Sequence, residues 1–546
     1  MNGPLRGSVA LATAVLAASA LPAVGQAEGT PGAPLRDRVP AWAERWSPGS
    51  DLADLHRELF AGVAPPELLT FPAPRVGLFW TAGNPAALPS ELEDAHTDFR
   101  FAFQRASGDY TRPLDPGAVS WGSVSALGWR TLAEGRGAVI GNAVFDRASL
   151  QDSLFANVLV PYASNPFVVM DTIGDPMRRT ATRLEGATGW GFGPFALGIS
   201  LGWKGQRSRT IESPVPRLNR TAASGAVVGV GFEAARGLRI GLHGRWQQAA
   251  ELLQIRTIAE ASRIFQLEGY EEPVPLDLQP ALYRRRFERT GYAVGGAVGV
   301  DALDATWVLF GQREMAEEDQ FIRTTENDPP ADRWEANGWT IGGAAQWSLI
   351  GGDLLLTFDG RYRTLEGEAA RADIQAVVFT VDEQRFAGSA DLRWRAGSSW
   401  RLGGRAEVRR DSHDRRDLLA GATSDIRSWK TGVAVTLARV FGDRFAVSAG
   451  GGFSADTPSG DIPDPDTLGP VYRRFVGPEL AIQLTEATGA VGVLALRWQA
   501  GAATGVWIRG ELGGLDPREA SVPLLPDGTR RAWRLSAGAV LNELWP

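Results

Sequence analysis

From about residue 96 onward the chain repeats one pattern, in which apolar and polar residues alternate over runs of about ten to sixteen. A period of two sends successive side chains to opposite faces of an extended strand, which excludes helices for these runs. Phe195, Leu197, Ile199, Leu201 and Trp203 share one face; Ala196, Gly198, Ser200, Gly202 and Lys204 share the other. Likewise Leu238, Ile240, Leu242 and Trp246 oppose Arg239, His243, Arg245 and Gln247. Strands of a soluble sandwich are usually about five or six residues long. Those predicted here are about twice that, matching the ~9–11 tilted residues a bilayer requires. The apolar face often begins or ends on an aromatic residue, and small and charged residues share the other. That arrangement suits lipid outside and a lumen inside.

Connections support the same fold. Short links at Ala133–Glu134, Gly193–Pro194, Ala235–Gly237, Ala302–Asp304, Gly351–Gly352, Gly397–Ser399, Gly442–Asp443 and Thr488–Gly489 alternate with longer segments. The longer segments fall near 150–179, 209–219, 254–285, 314–336, 367–382, 411–424 and 457–471. Periplasmic turns and extracellular loops alternate in this way. Counting runs gives about nineteen strands, whereas a single-chain barrel needs an even number. The phase changes in 489–513, so that region is read as one bulged strand. The fold expected is therefore an all-β, transmembrane, antiparallel up-and-down β-barrel of about eighteen strands, within sixteen to twenty.

Composition removes other classes. Past the first thirty residues no stretch is apolar for the ~18 residues of a membrane helix. The absence of Cys excludes disulfides, thiol chemistry and zinc–thiolate sites. A net charge of -7 argues against nucleic acid as a partner.

Three regions follow. Residues 1–27 read as a signal peptide, with Arg6, an apolar Val9–Leu21 core and small residues at Ala23, Gly25 and Ala27. Residues 28–95 are Pro-rich and lack alternation, with Asp51 placed to cap a short helix bearing Leu52, Leu55 and Leu59. They read as a leader or plug ahead of the barrel, 96–546. In the last strand Trp533, Leu535, Ala537, Ala539 and Leu541 alternate with polar and small residues, and Trp545 follows on the same face. This resembles the C-terminal signature read by the barrel assembly machinery, with Pro546 as a departure.

The polar face carries the candidate chemistry. Lumen-lining candidates are Lys204, Arg239, His243, Arg245, Asp359, Arg361, Arg363, Arg393, Arg395, Arg401, Arg405, Glu407, Lys430 and Arg509. Arg385, Arg409 and Arg534 add to the cations, while Asp391 and Glu511 join the few acids. The acids Glu314, Glu317, Glu318 and Asp319 are assigned to a long loop, as are Asp461, Asp464 and Asp466. A basic lumen in an acidic chain predicts passage of small anionic solutes, since rings of Arg and Lys select anions. The competing reading is an interior ion-pair network.

Catalysis is not expected. Ser412-His413-Asp414 gathers triad residue types, but they are adjacent and read as a solvated loop, whereas a triad converges from separate positions. His243 faces the lumen and could pair with an acid. No His spacing suits a metal, and no pattern calls for a cofactor.

One motif points to kin. Trp80 precedes Gly83-Asn84-Pro85-Ala86-Ala87-Leu88. This resembles the Asn-Pro-Ala signature before the barrel in the FadL-like long-chain fatty-acid transporter superfamily. The resemblance implies an N-terminal hatch inside the barrel, with Asn84, Pro85 and Ala86 as the plug motif and Asn84 as a polar anchor. It also implies import of a hydrophobic ligand as an alternative to a polar pore. A TonB-dependent receptor would need a larger plug than residues 28–95 supply. The location expected is the outer membrane of a Gram-negative cell, among lipid and lipopolysaccharide. An aromatic outer face suits lipid and a neighbouring barrel equally, leaving open a homo-oligomer, an uptake-system partner, or a plugged barrel with a structural role.

Overall fold

The computed structural model describes residues 82–542 except 93–94, 112–115, 134, 156–164, 212–216, 257–263, 271–273, 276–281, 303, 323–329, 443, 465, 471, 502–503 and 519–527. The proposed signal peptide, the Asp51 helix and Trp545-Pro546 lie outside these residues.

The first strands are β1 (His96–Gly108), β2 (Ala118–Leu132), β3 (Gly137–Phe155), β4 (Phe167–Phe192), β5 (Phe195–Thr210), β6 (Arg217–Ala235) and β7 (Leu238–Arg256). Two short ones, β8 (Ile264–Glu268) and β9 (Val274–Pro275), lie in the connection that follows. Then come β10 (Leu282–Ala302), β11 (Ala305–Ile322), β12 (Asp332–Leu349), β13 (Leu354–Arg371), β14 (Ala376–Ala396) and β15 (Trp400–Asp417). The wall ends with β16 (Ala422–Phe441), β17 (Phe445–Asp461), β18 (Ala487–Gln499), β19 (Thr504–Pro517) and β20 (Arg530–Asn542). Each wall strand pairs antiparallel with the next, and β1 pairs with β20 from His96↔Asn542 to Gly108↔Arg530. With β8 and β9 set aside, eighteen described strands close one barrel, and closure leaves no unpaired edge in the lipid. No helix among the described residues is long and apolar enough to cross a membrane; the crossing is by strands.

The outer face follows from the alternation. Leu197, Leu242, Leu309, Ile341, Val433 and Leu512 point outward and are exposed. Trp190, Phe195, Trp307, Trp394, Trp400 and Trp498 ring the short-turn end, and Trp246, Tyr292, Trp339, Tyr362, Phe386 and Trp429 ring the other side of the band. On β14 the two rings, at Phe386 and Trp394, are eight residues apart. That is about 27 Å along a strand and about 20 Å along the membrane normal at a tilt of roughly 40°, close to the ~25 Å band of such barrels.

Three expectations change. The strands are longer than the sequence runs suggest, reaching 26 residues in β4, and they continue through several segments read as loops. Residues 314–322 belong to β11, so Glu314, Glu317, Glu318 and Asp319 are strand residues. Only 372–375 and 418–421 remain as links where 367–382 and 411–424 were expected to be loops, and Ser412-His413-Asp414 lies inside β15. Above the lipid both strand faces meet water, so the apolar contrast that marks a strand is lost there.

The second change concerns Tyr472–Val476, a π-helical turn, and the short helix Gly477–Gln483, which stand where the alternation predicts a strand. Buried Tyr472, Phe475, Leu480 and Ala481 have helical spacing, not alternation. Third, Thr488–Gly489 is inside β18 and not a link, and 489–513 forms two strands joined at 500–503, not one bulged strand. One strand fewer at 472–483 and one more in 489–513 leave the wall at eighteen.

Candidate functional site

The inner face of the short-turn end is occupied by residues 82–92. Pro85–Ala87 forms one 3-10 turn, followed by α1 (Leu88–Glu91). Asn84 caps the turn, its Oδ1 accepting from Ala86 N–H at 3.0 Å. This is the ordinary capping chemistry of Asn ahead of a Pro at the first helical position. The same side chain donates through Nδ2 to the carbonyls of Val230 at 2.9 Å and Leu242 at 3.2 Å, on β6 and β7. Asn84 is fully buried, so the segment is fixed to the wall by a side chain whose donors and acceptor are all used.

The wall makes room with glycine. Gly189, Gly198 and Gly229 occupy facing register positions on β4, β5 and β6. A Cβ on Gly189 would stand 2.7 Å from the Pro85 carbonyl oxygen, and one on Gly198 or Gly229 would overlap Pro85 or Asn84. The same row continues to His243 and Gly295, and His243 Nε2 lies 3.3 Å from Gln312 Oε1. Leu88 and Leu92 pack against Ala138, Ile140 and Ala187, while Ala82 and Ala87 meet Ala297, Val308 and Ala344. Glu91 reaches Arg239 at 3.7 Å. Residues 82–92 thus pack on inner-face residues from β3 round to β12.

Above them lies a belt of charge. All fourteen candidates fall at inner-face register positions. Arg363 meets Glu314 at 2.5 Å, Arg405 meets Asp391 at 3.2 Å and Glu407 at 3.6 Å, and Lys430 meets Asp456 at 3.2 Å. Asp411 is shared by Arg385 at 2.7 Å and Arg409 at 2.6 Å. Arg509 meets Glu511 at 2.6 Å. Asp359 bonds Ser389, and Lys204 neighbours Asp146 and Glu185. Arg395 reaches Asp353 at 3.9 Å, and Arg401 donates to the carbonyls of Gly397 and Trp400 near the short turns. Arg393 lies beside Asp391 and Arg405. Arg245 stands beside Gly83, and Arg361 opens to the lumen. Neither has a carboxylate partner among the described residues.

The expected excess of lumen cations is therefore smaller than the sequence suggested. Glu314 and Glu318, read as loop acids, are inward positions of β11, and Asp411, Asp456 and Glu383 also face in. The adjacent triad types separate by alternation. His413 faces in, with Nδ1 3.2 Å from Glu383, while Ser412 and Asp414 face out. Among the described residues no group of three or more His, Asp or Glu is placed to hold a metal ion.

The long-loop end carries an apolar cluster inside the mouth. Trp334, Ala369, Phe379, Val381 and Ile426 of the wall meet Phe167, Tyr270 and the helical residues Tyr472 and Leu480. Tyr270 packs edge-on against Phe379 at 5.6 Å and Tyr472 at 5.9 Å. The Tyr270 backbone N–H donates to Asp417 at 2.5 Å, and the Tyr472 hydroxyl to Pro463 O at 2.9 Å. Burial pushes both phenols up from the ordinary tyrosine value.

The glycine row and the mouth cluster escaped sequence reasoning. Glycine on the inner face of three successive strands was visible, but its alignment depends on register. The helical spacing in 472–483 was a usable signal.

Among solved structures, the ferric preacinetobactin receptor BauA of Acinetobacter baumannii is 8% identical, with 82% of this chain and 80% of that one covered at a TM-score of 0.37. The FrpB iron transporter of Neisseria meningitidis is 10% identical over 82% of each chain, at 0.37. The outer membrane transporter YddB of Escherichia coli is 7% identical over 83% and 81%, at 0.36. The solutes in those names belong to those proteins. No curated protein matches the chain. A protein family described as "Family of unknown function (DUF6850)" matches residues 85–540, from Pro85 to the last strand. The chain belongs to that family.

Proposed function

We propose that this outer-membrane barrel is a hatch-gated channel for small anionic solutes, closed at rest. The observation that carries the reading is the seating of residues 82–92 in a glycine-lined recess by the buried side chain of Asn84. A leader that only followed the wall would need neither a cradle of three glycines nor a fully bonded buried amide. Movement of this segment is the conformational step that opening requires. The sign of the solute rests on Arg245 and Arg361, whose guanidiniums face the lumen with no carboxylate partner among the described residues. Cationic constrictions favour anions. A polar belt of this density disfavours the hydrophobic ligand implied by the FadL-like motif.

Planar-bilayer recording tests the reading. The intact chain should conduct little, and deletion of residues 28–95 should open a steady conductance. A salt-gradient reversal potential on the open form should show anion preference, weakened by Arg361→Gln. A wide-open intact chain would refute the hatch, and cation preference would refute the solute class. A barrel closed in both forms would favour the second reading, a plugged structural or partner-binding protein, which the mouth cluster supports.

A further inference from the structure

The outer surface above the apolar band is not uniform in charge. On β1, β3, β4, β5 and β6 the outward positions just beyond the apolar band are Arg105, Arg147, Arg178, Arg207, Arg209 and Arg220. Arg105 is the next outward residue after exposed Phe103, and Arg147 the next after exposed Phe145. Arg207 and Arg209 follow the outward run that ends at Trp203. Two pairs face each other directly across neighbouring strands, Arg178↔Arg209 and Arg207↔Arg220. Like charges in facing positions destabilise a sheet unless an anion lies between them. Among the described residues none of the six makes an ion pair, and the outward positions of β1–β6 at this level hold no Asp or Glu. Five of the six are exposed and Arg178 is half-buried.

The far side of the barrel shows that this is no general trend of the rim. On β13–β16 the row Glu366↔Asp382↔Asp414↔Asp425 is acidic. Its arginines are paired, Arg416 with Asp414 at 3.0 Å and Arg427 with Asp425 at 2.7 Å.

We propose that the arginine patch on β1–β6 is a binding site for the phosphate groups of a phosphorylated glycolipid of the outer leaflet. The long-loop end faces outward in such barrels, so the patch stands where hydrocarbon gives way to headgroups. Guanidinium forks bind phosphate oxygens in pairs, and adjacent rows of the patch are about 7 Å apart along the strands. Several arginines can therefore reach one headgroup while its acyl chains lie on the apolar band below. The inference is independent of what crosses the lumen.

The test is native mass spectrometry of the intact chain in detergent, titrated with lipid A, with dephosphorylated lipid A, and with lipid A against an equal concentration of inorganic phosphate. Each arginine near a charged lipid surface is worth roughly fivefold in binding. Arg207→Gln with Arg220→Gln should therefore weaken lipid A binding about twenty-five-fold. Arg207→Lys with Arg220→Lys should keep most of it, and Arg416→Gln with Arg427→Gln on the acidic side should leave it unchanged. Heat-modifiable gel mobility reports folding; if the Gln pair fails to fold, Arg147→Gln alone should still weaken binding about fivefold. Undiminished binding by the folded Gln variants, equal binding of dephosphorylated lipid, or displacement by equimolar inorganic phosphate would each overturn the proposal, the last by assigning the patch to free phosphate.

Discussion

Replacing Asn84 with Ala isolates the contact that holds the hatch. The side chain is fully buried. It donates to Val230 O at 2.9 Å and Leu242 O at 3.2 Å, and accepts from Ala86 N–H at 3.0 Å. Truncation removes all three bonds and leaves one buried N–H unpaired. A net hydrogen bond contributes about 1 kcal/mol, and a stranded buried donor costs about 1–3 kcal/mol. The two wall bonds and the stranded donor together should thus cost the seated hatch about 3–5 kcal/mol relative to the unseated one, or roughly 100- to 4,000-fold in their ratio. The barrel wall should keep its stability, because its strand-to-strand bonds are untouched. Single-channel recording of refolded protein measures the effect as open probability, and heat-modifiable mobility confirms that the wall is intact. Asn84→Asp, which keeps the acceptor for Ala86 but sets a buried carboxylate against the carbonyls of Val230 and Leu242, should open the channel at least as much as Asn84→Ala. If Asn84→Ala is folded and as closed as wild type, Asn84 does not hold the gate and the hatch reading fails.

Other perturbations follow from the same geometry. Gly198→Val should unseat the hatch by overlap with Pro85 while leaving β5 paired, a cost of about 1–3 kcal/mol, and should raise open probability alongside Asn84→Ala. Asp411→Asn leaves Arg385 and Arg409 without their shared carboxylate; because both guanidiniums retain some lumen exposure, the loss should be about 1–3 kcal/mol, read from the urea midpoint in detergent. The phenols of Tyr270 and Tyr472 hold their protons above the ordinary tyrosine value, so the mouth contact should be constant below about pH 10 and weaken as pH rises beyond it. Tyrosinate absorbance should show a late-titrating component that disappears in Tyr270→Phe with Tyr472→Phe; a single step in wild type would contradict the buried cluster.

How far the sequence reaches depends on which solvent each face meets. Within the lipid band the outward row must be apolar and the inward row need not be, so Lys204, Arg239 and Arg363 are placed on the inner face by counting in twos. Turns such as Gly193–Pro194 are equally plain, because the chain must reverse within two residues. What counting cannot supply is register. Asp411 meets Arg385 only because β14 and β15 align at that position, and Gly198 cradles Pro85 only because three strands present glycine at one level. The acids of β11 are hidden from the pattern for a related reason. With water on both faces, Glu314, Glu317, Glu318 and Asp319 show no apolar alternation, although the first and third point inward and the others outward.

That same two-sided solvation sets a structural problem at the top of the barrel. Strand pairs wetted on both faces are marginal on their own, yet β10–β16 extend well past the upper aromatic ring. The mouth cluster supplies the missing apolar side: Trp334, Phe379 and Ile426 point inward and are covered by Tyr270, Tyr472 and Leu480. Trp334, 2% exposed, is its largest member, and Trp334→Ala should cost about 3–5 kcal/mol locally. The loss should fall on the rim alone, since the membrane-level wall is held by lipid and by closure of the sheet. Hydrogen exchange should therefore accelerate in residues 376–381 and 422–426 while amides near Val433 and Leu437 stay protected. Uniform acceleration down β14 and β16 would mean that rim and wall unfold together, and that the cluster does not support the rim separately.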